Sequence, residues 1–167
     1  LAVRGVRRLL NDVGPISLYA HVPLCLRKCA YCDFYSLPLD RFPRSAERER
    51  ASSMITDALV AELSARSAEW GVTEWPTVYI GGGTPSLLLP RDIARLCESV
   101  QRAVPASASA PSEWTIEANP EDVTPEWLDA CRDSGINRLS LGVQTFDDRC
   151  RSDIGRRGSS GSSRDAL

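Results

Sequence analysis

Three cysteines within eight residues constrain this chain more than any other feature of its sequence. Cys25, Cys29 and Cys32 follow the spacing C-x3-C-x2-C. Thiolates at that density on a short loop can converge on one soft metal centre. A zinc site would need a fourth ligand at matching spacing, but His21 is the only histidine and the other cysteines stand alone. An iron–sulfur cluster with one open iron is therefore the leading interpretation, with zinc and plain reduced thiols as alternatives.

The bulk composition limits the classes of partner. With 43% hydrophobic and 25% charged residues over 167 positions, the chain has ordinary globular composition and fits one domain, or a piece of a larger one. A net charge of -2 gives no electrostatic signature for nucleic acid, so no such partner is predicted. No apolar run approaches the ~18 residues of a membrane span. Six cysteines without a secretory signal predict reduced thiols and a cytoplasmic location.

Strand and helix signals alternate four times along the chain. Strands are predicted at 16–22, 77–80, 113–118 and 138–143, and helices over about 46–70, from Pro90 to before Pro105, from Thr124 to Gly135, and from about Phe146. The first helix is assigned an apolar face of Met54, Ile55, Ala58, Leu59 and Leu63. This alternation predicts an α/β fold in which a parallel sheet is connected by helical crossovers.

Chemically suggestive residues follow each predicted strand. The cysteine loop follows the first strand, Gly81–Pro85 the second, Glu117–Pro120 ends the third, and Gln144 ends the fourth. Since functional groups of a β/α barrel gather at the C-terminal ends of its strands, one site on one rim is predicted. Taken singly, these features have simpler readings: a flexible glycine turn, a surface carboxylate and a helix cap.

Two sequence strings resemble a known family. The residues around the cysteines, YAHVPLCLRKCAYCDF, resemble the cluster motif of the radical S-adenosylmethionine (SAM) superfamily. Together with YIGGGTPSLL they are similar to the oxygen-independent coproporphyrinogen III oxidase-like family, which includes oxidases (HemN) and haem chaperones (HemW). The resemblance implies a partial (β/α) barrel with about four of six expected units. It covers an incomplete core (16–156), while composition marks a basic arm (1–15) before it and a flexible or truncated tail (157–167) after it.

The same resemblance implies the residues of the site. Cys25, Cys29 and Cys32 would bind a [4Fe–4S] cluster, and a wider set would bind SAM: Tyr19, Tyr31, Gly81, Gly82, Gly83, Thr84, Glu117, Gln144 and Arg156. In this scheme the glycine turn holds the SAM amino group, Gln144 the ribose and Arg156 the carboxylate. His21 is more readily a structural histidine than a ligand. Cys97, Cys131 and Cys150 are predicted to lie in the core.

One position separates the two branches of the family. The oxidase branch has a further cysteine two residues after the third, where this chain has Phe34. The resemblance therefore implies a haem chaperone-like protein whose partners are haem or a porphyrinogen, an electron-donor protein and a haem-acceptor apoprotein, with haem a possible third cofactor. The alternatives are a coproporphyrinogen III oxidase, which forms protoporphyrinogen IX by oxidative decarboxylation, and a non-functional fragment. Whether the chain is a catalyst is left open.

Overall fold

A computed structural model describes residues 14–40 and 45–167 of the chain. The strands are β1 Gly14–Pro15, β2 Leu18–Val22, β3 Leu24–Cys25, β4 Leu37–Pro38, β5 Val72–Glu74, β6 Thr77–Gly82, β7 Glu113–Ala118 and β8 Arg138–Leu141. The helices are α1 Ser45–Trp70, α2 Pro90–Arg102, α3 Pro125–Asp133, α4 Asp148–Asp153 and α5 Ser160–Asp165, with 3-10 turns at Pro85–Leu87 and Pro120–Asp122. Residues 1–13 of the predicted basic arm lie outside the described residues.

Four of these strands form one parallel sheet in the order β2-β6-β7-β8. These are the four predicted strands, and each one pairs in parallel with the strand predicted to follow it. The predicted α/β fold with helical crossovers is therefore confirmed. Helix α1 packs against α2, and α2 packs against α3. The core between these layers is apolar and includes Val22, Val78, Ile80, Ile93, Leu96, Ile116 and Trp127. All carboxyl ends of the four strands consequently lie on one rim.

Local sequence signals fix the helix ends as predicted. Thr124 caps α3 by accepting a hydrogen bond from the Trp127 amide at 3.2 Å, and Pro125 occupies the first helical turn. Pro90 likewise occupies the first turn of α2. Gly71 follows α1 with a φ of 60°, the left-handed conformation that ends many helices.

The predicted apolar face of α1 is confirmed in part, because Leu63 lies in the core and Ile55 and Leu59 pack against it. Met54 is 63% exposed, whereas Ser52 and Thr56 are fully buried. Ser52 donates a 2.7 Å hydrogen bond to the buried carboxylate of Asp92 and accepts one from the Leu89 amide. Small polar residues therefore contribute to the contact between α1 and α2, which a purely apolar period does not predict.

Other differences involve short elements. Two parallel pairs, β1 with β5 and β3 with β4, were not predicted. Strand β8 ends at Leu141 rather than at residue 143. The tail was expected to have little to pack, but α5 forms there with a capping box at Ser159 and a buried Ser163. Cys150 is exposed, so its predicted place in the core is wrong, while Cys97 and Cys131 are buried as predicted.

None of the described helices combines the length and apolar character that crossing a membrane requires.

Candidate functional site

A cavity of about 370 Å³ opens at the carboxyl ends of the sheet strands. Most of the predicted site residues line it: Cys25, Cys29, Tyr31, Cys32, Gly82, Gly83, Thr84, Glu117, Gln144 and Arg156. The two predicted residues outside the lining are Tyr19 and Gly81. Four loops that are distant in sequence thus meet around one space, as the rim argument predicted.

The three cysteines are half-buried free thiols on the cavity wall. The Cys25 thiol donates to the Arg27 carbonyl oxygen at 3.0 Å and lies 3.7 Å from the Thr84 hydroxyl, which donates to it. Within residues 14–40 and 45–167, no three His, Cys, Asp or Glu side chains converge closely enough to hold a metal ion. The three thiols thus line one cavity, but they do not converge on a single metal position.

The donor chemistry and the cavity wall nonetheless fit an iron–sulfur cluster. The three soft sulfur donors share the cavity wall with Gly82, Gly83 and Thr84, and Thr84 offers a hydrogen bond to one sulfur. A Cβ atom at Gly83 would lie 2.5 Å from the Leu24 carbonyl oxygen, and Gly82 has a φ of 119°. Both positions therefore require glycine, which lets the turn pack closely against the end of β2 and the start of β3.

Glu117 is a half-buried carboxylate held from both sides. The Tyr79 phenol donates to its Oε1 atom at 2.7 Å, and the Gly82 amide donates to its Oε2 atom at 3.0 Å. Among the described residues, no Lys or Arg nitrogen forms an ion pair with it. A half-buried carboxylate in a cavity without a cation of its own favours a cationic ligand.

Gln144 lies in a loop with unusual backbone geometry. Its φ of 68° is left-handed and is the one positive φ found at a non-glycine residue in the described parts of the chain. On either side, the carbonyl oxygens of Val143 and Thr145 accept hydrogen bonds of 3.0 and 3.1 Å from the Arg151 guanidinium. Arg151, only 1% exposed, thereby holds the strained residue in place.

Arg156 connects the far side of the cavity to the cysteine loop. Its Nη2 atom donates to the Gly142 carbonyl and, at 2.7 Å, to Asn119 Oδ1. The Asn119 amide nitrogen lies 3.5 Å from the Thr84 hydroxyl, to which it donates, and Thr84 in turn donates to Cys25 Sγ. One directed hydrogen-bond chain therefore runs from the guanidinium to the sulfur.

Sequence reasoning missed both Asn119 and Arg151. Asn119 had a signal, because it follows β7 directly in the string EANP and the rim argument applies to it. Arg151 had none, because a charged residue in a short helix usually marks a solvated face.

The aromatic residues of the site divide into two groups. Tyr31 lines the cavity, and burial, with the neighbouring Cys29, raises the pKa of its phenol. Tyr19 lies beside the cavity, where its hydroxyl is 3.0 Å from His21 Nδ1. His21 Nε2 is 3.0 Å from the Tyr35 carbonyl oxygen, so it ties the end of β2 to the end of the cysteine loop. These contacts give His21 a structural role.

Comparisons with known proteins identify the family. The family described as "Radical SAM superfamily" matches residues 19–167. The chain is 35% identical to heme chaperone HemW of Bacillus subtilis and 37% identical to HemW of Escherichia coli K12, over 84% and 85% of this chain but 35% of each relative. It is 37% identical to bovine "Radical S-adenosyl methionine domain-containing protein 1, mitochondrial", over 90% of this chain and 31% of that one.

A solved structure has a similar fold. Coproporphyrinogen III oxidase (HemN) from Escherichia coli, described as a radical SAM enzyme, superposes with a TM-score of 0.73 at 27% identity. The match covers 90% of this chain and 34% of the solved one. This chain therefore spans about a third of the length of the relatives it matches, and the expected partial barrel is consistent with that share.

Proposed function

Because this chain belongs to the radical SAM superfamily, we propose that it is a haem chaperone-like member that binds a [4Fe–4S] cluster and SAM. The observation that carries the proposal is the single cavity that gathers all three cysteines with Gly82, Gly83, Glu117, Gln144 and Arg156. These residues lie on loops that are separate in sequence, and all but Arg156 were predicted to share one rim of the sheet.

In this proposal Cys25, Cys29 and Cys32 hold the cluster by three thiolates. A cluster of this type with one open iron supplies the electron that cleaves bound SAM. The chain itself supplies binding and orientation. Thr84 donates a hydrogen bond to Cys25 Sγ, and Gly82 and Gly83 line the same cavity without side chains. Tyr31, half exposed on the same wall, offers a ring against which adenine can stack.

The polar residues of the cavity suit the charged ends of SAM. Glu117 lacks an ion-pair partner among the described residues and is assigned a cationic group of the ligand. Arg156 is assigned the carboxylate, for which a planar guanidinium is the best matched donor. Gln144 is assigned the ribose. Tyr19 and Gly81 do not line the cavity and are assigned an indirect role through Glu117. Tyr19 stacks on Tyr79, which donates to Glu117, and a Cβ at Gly81 would meet the Glu117 carboxylate.

The chaperone branch is favoured over the oxidase branch by Phe34. This residue is exposed at the position where the oxidases have a further cysteine. Several similar curated proteins are named heme chaperones, whereas the superposed structure is an oxidase. We therefore propose haem as the bound porphyrin, a haem-acceptor apoprotein and an electron-donor protein as partners, and oxidation of coproporphyrinogen III as the second candidate function.

The proposed location is the cytoplasm, a reducing compartment in which the free thiols of the chain stay unpaired. The bovine and mouse relatives carry "mitochondrial" in their names, which makes that organelle the alternative to test by imaging a tagged chain.

Haem titration and porphyrinogen turnover separate the candidate functions. We expect the reconstituted chain to bind haem saturably, seen in the Soret band, and to leave anaerobic coproporphyrinogen III unchanged. Turnover at enzyme-like rates would replace the chaperone assignment with the oxidase. A chain that binds a cluster but neither binds haem nor turns over porphyrinogen would match the fragment alternative.

A further inference from the structure

Tyr79 and Glu117 meet across neighbouring strands at the edge of the cavity. Tyr79 in β6 pairs in register with Thr115 in β7, two residues before Glu117. The phenol hydroxyl donates to Glu117 Oε1 at 2.7 Å, while the Gly82 amide donates to Oε2 at 3.0 Å. Both oxygens of the carboxylate are thus held by donors from β6, which fixes the orientation of the group.

Gly81 makes this contact possible. A Cβ atom at position 81 would lie 2.7 Å from Tyr79 Cε1 and 3.0 Å from Glu117 Oε2, closer than packed atoms approach. A side chain there would force the tyrosine ring or the glutamate carboxylate to shift. This explains why Gly81 belongs to the glycine turn although it does not line the cavity.

The Glu117 carboxylate can accept further hydrogen bonds besides those from Tyr79 and Gly82. An ionised carboxylate offers about four lone-pair sites, and Tyr79 and Gly82 occupy two of them. Because Glu117 lines the cavity, the remaining sites are available to a bound cation. The hydrogen bond to Glu117, followed by burial, raises the pKa of the Tyr79 phenol. The phenol therefore remains a donor at neutral pH.

We propose that Tyr79 is a positioning residue whose hydroxyl aims the Glu117 carboxylate at a cationic group of the ligand. The identity of that ligand, SAM, rests on the proposed function, but the Tyr79–Glu117 contact does not. Tyr79 is absent from the cavity wall and therefore acts through Glu117. Its ring also stacks on Tyr19 with centroids 6.1 Å apart, a contact that a phenylalanine would keep.

The Tyr79→Phe variant removes the hydroxyl and little else. Isothermal titration of the cluster-loaded chain with SAM should show binding weakened about tenfold, the cost of one misplaced charge-assisted hydrogen bond. Tyr35→Phe is the matched control, because Tyr35 is 71% exposed and lies outside the cavity lining. It should bind SAM like the unmodified chain. Equal affinity in Tyr79→Phe and the unmodified chain would overturn the proposal.

A double-mutant cycle tests whether Tyr79 works through Glu117. Glu117→Gln removes the charge, and adding Tyr79→Phe to it should cause no further loss of SAM affinity. A tyrosine that only stabilises the fold would lower affinity by the same factor in both backgrounds. That additive result would contradict a positioning role.

Hydrogen exchange at the Gly82 amide gives a readout that needs no ligand. This amide donates to Glu117 Oε2, so loosening the carboxylate in Tyr79→Phe should speed its exchange, while Tyr35→Phe should not. Unchanged exchange would overturn the inference itself. Faster exchange in a chain that binds no SAM would instead overturn the ligand assignment and the proposed function, so the two failures are distinguishable.

Discussion

The Arg151 guanidinium lies 2.5 Å from the Glu121 carboxylate, and the two side chains are only 1% and 12% exposed. This ion pair joins α4 to the 3-10 turn that follows β7. The same guanidinium also donates to the carbonyl oxygens of Val143, Thr145 and Arg157. One buried side chain thereby orders the loop that carries Gln144 and the segment that leads to Arg156.

Removing this guanidinium should destabilise the chain strongly. Arg151→Met leaves the largely buried Glu121 with only its 4.0 Å contact to Arg156 within the described part of the chain, and breaking a buried pair in this way costs about 3–5 kcal/mol. Urea denaturation should report a fall of that size in the free energy of unfolding. The exposed Arg149→Met variant is the control and should stay within about 0.5 kcal/mol. Equal stability of the two variants would show that the pair contributes little.

Thr84 is predicted to tune the reduction potential of the bound cluster. Its hydroxyl donates to Cys25 Sγ, and hydrogen bonds to cluster sulfurs stabilise the more negative, reduced state. Thr84→Val should therefore lower the midpoint potential in an EPR-monitored redox titration, and Thr84→Ser should restore it. If the valine and serine variants titrate alike, the hydroxyl does not reach the sulfur in the loaded protein.

The buried thiols of Cys97 and Cys131 are expected to make the folded chain less stable at alkaline pH. Burial is the main cause that raises the pKa of Cys97 and of Cys131 from 9.0 to about 12. A raised folded-state pKa gives stability that is full below pH 9 and is lost as the pH rises toward about 12. The free energy of unfolding should fall between these values by up to about 1.4 kcal/mol per pH unit for each thiol.

The control for this prediction is the Cys97→Ala/Cys131→Ala variant. It starts less stable because of the cavities it creates, but its stability should depend less steeply on pH between 9 and 11. Parallel curves for this variant and the unmodified chain would assign the alkaline loss to other groups.

Strand β8 is an edge of the described sheet, so its outer backbone groups lack a strand partner there. Leu139 on this strand is 37% exposed. Such an edge promotes association between chains. The isolated chain is therefore expected to self-associate in light scattering after size exclusion, and Leu139→Lys should reduce that association. A monodisperse, cooperatively melting monomer would contradict the expectation.

Much of the fold could be predicted because its signals are local. Thr124 and Pro125 mark a helix start in any context, and the apolar runs at 77–80 and 113–118 mark buried strands. The rim argument then brings the cysteine loop, the glycine turn and Glu117 together without distance information.

The remaining features depend on partners far away in sequence. Arg151 is buried because carbonyl oxygens and Glu121, thirty residues earlier, satisfy its nitrogens. Ser52 is buried because Asp92 accepts its hydrogen bond across forty residues. The two-residue strands β3 and β4 exist only through each other. No periodic pattern in the sequence encodes these pairings.

The central claim is that Cys25, Cys29 and Cys32 hold a cluster with an iron open to SAM. Its most direct test is anaerobic iron–sulfide reconstitution followed by EPR of the reduced chain with and without SAM. We expect about four irons per chain and a signal that SAM perturbs. Both should disappear in the Cys25→Ala/Cys29→Ala/Cys32→Ala variant and persist in Cys150→Ala, which removes an exposed cysteine outside the cavity. No cluster in the unmodified chain, or an equal cluster in the triple variant, would contradict the account.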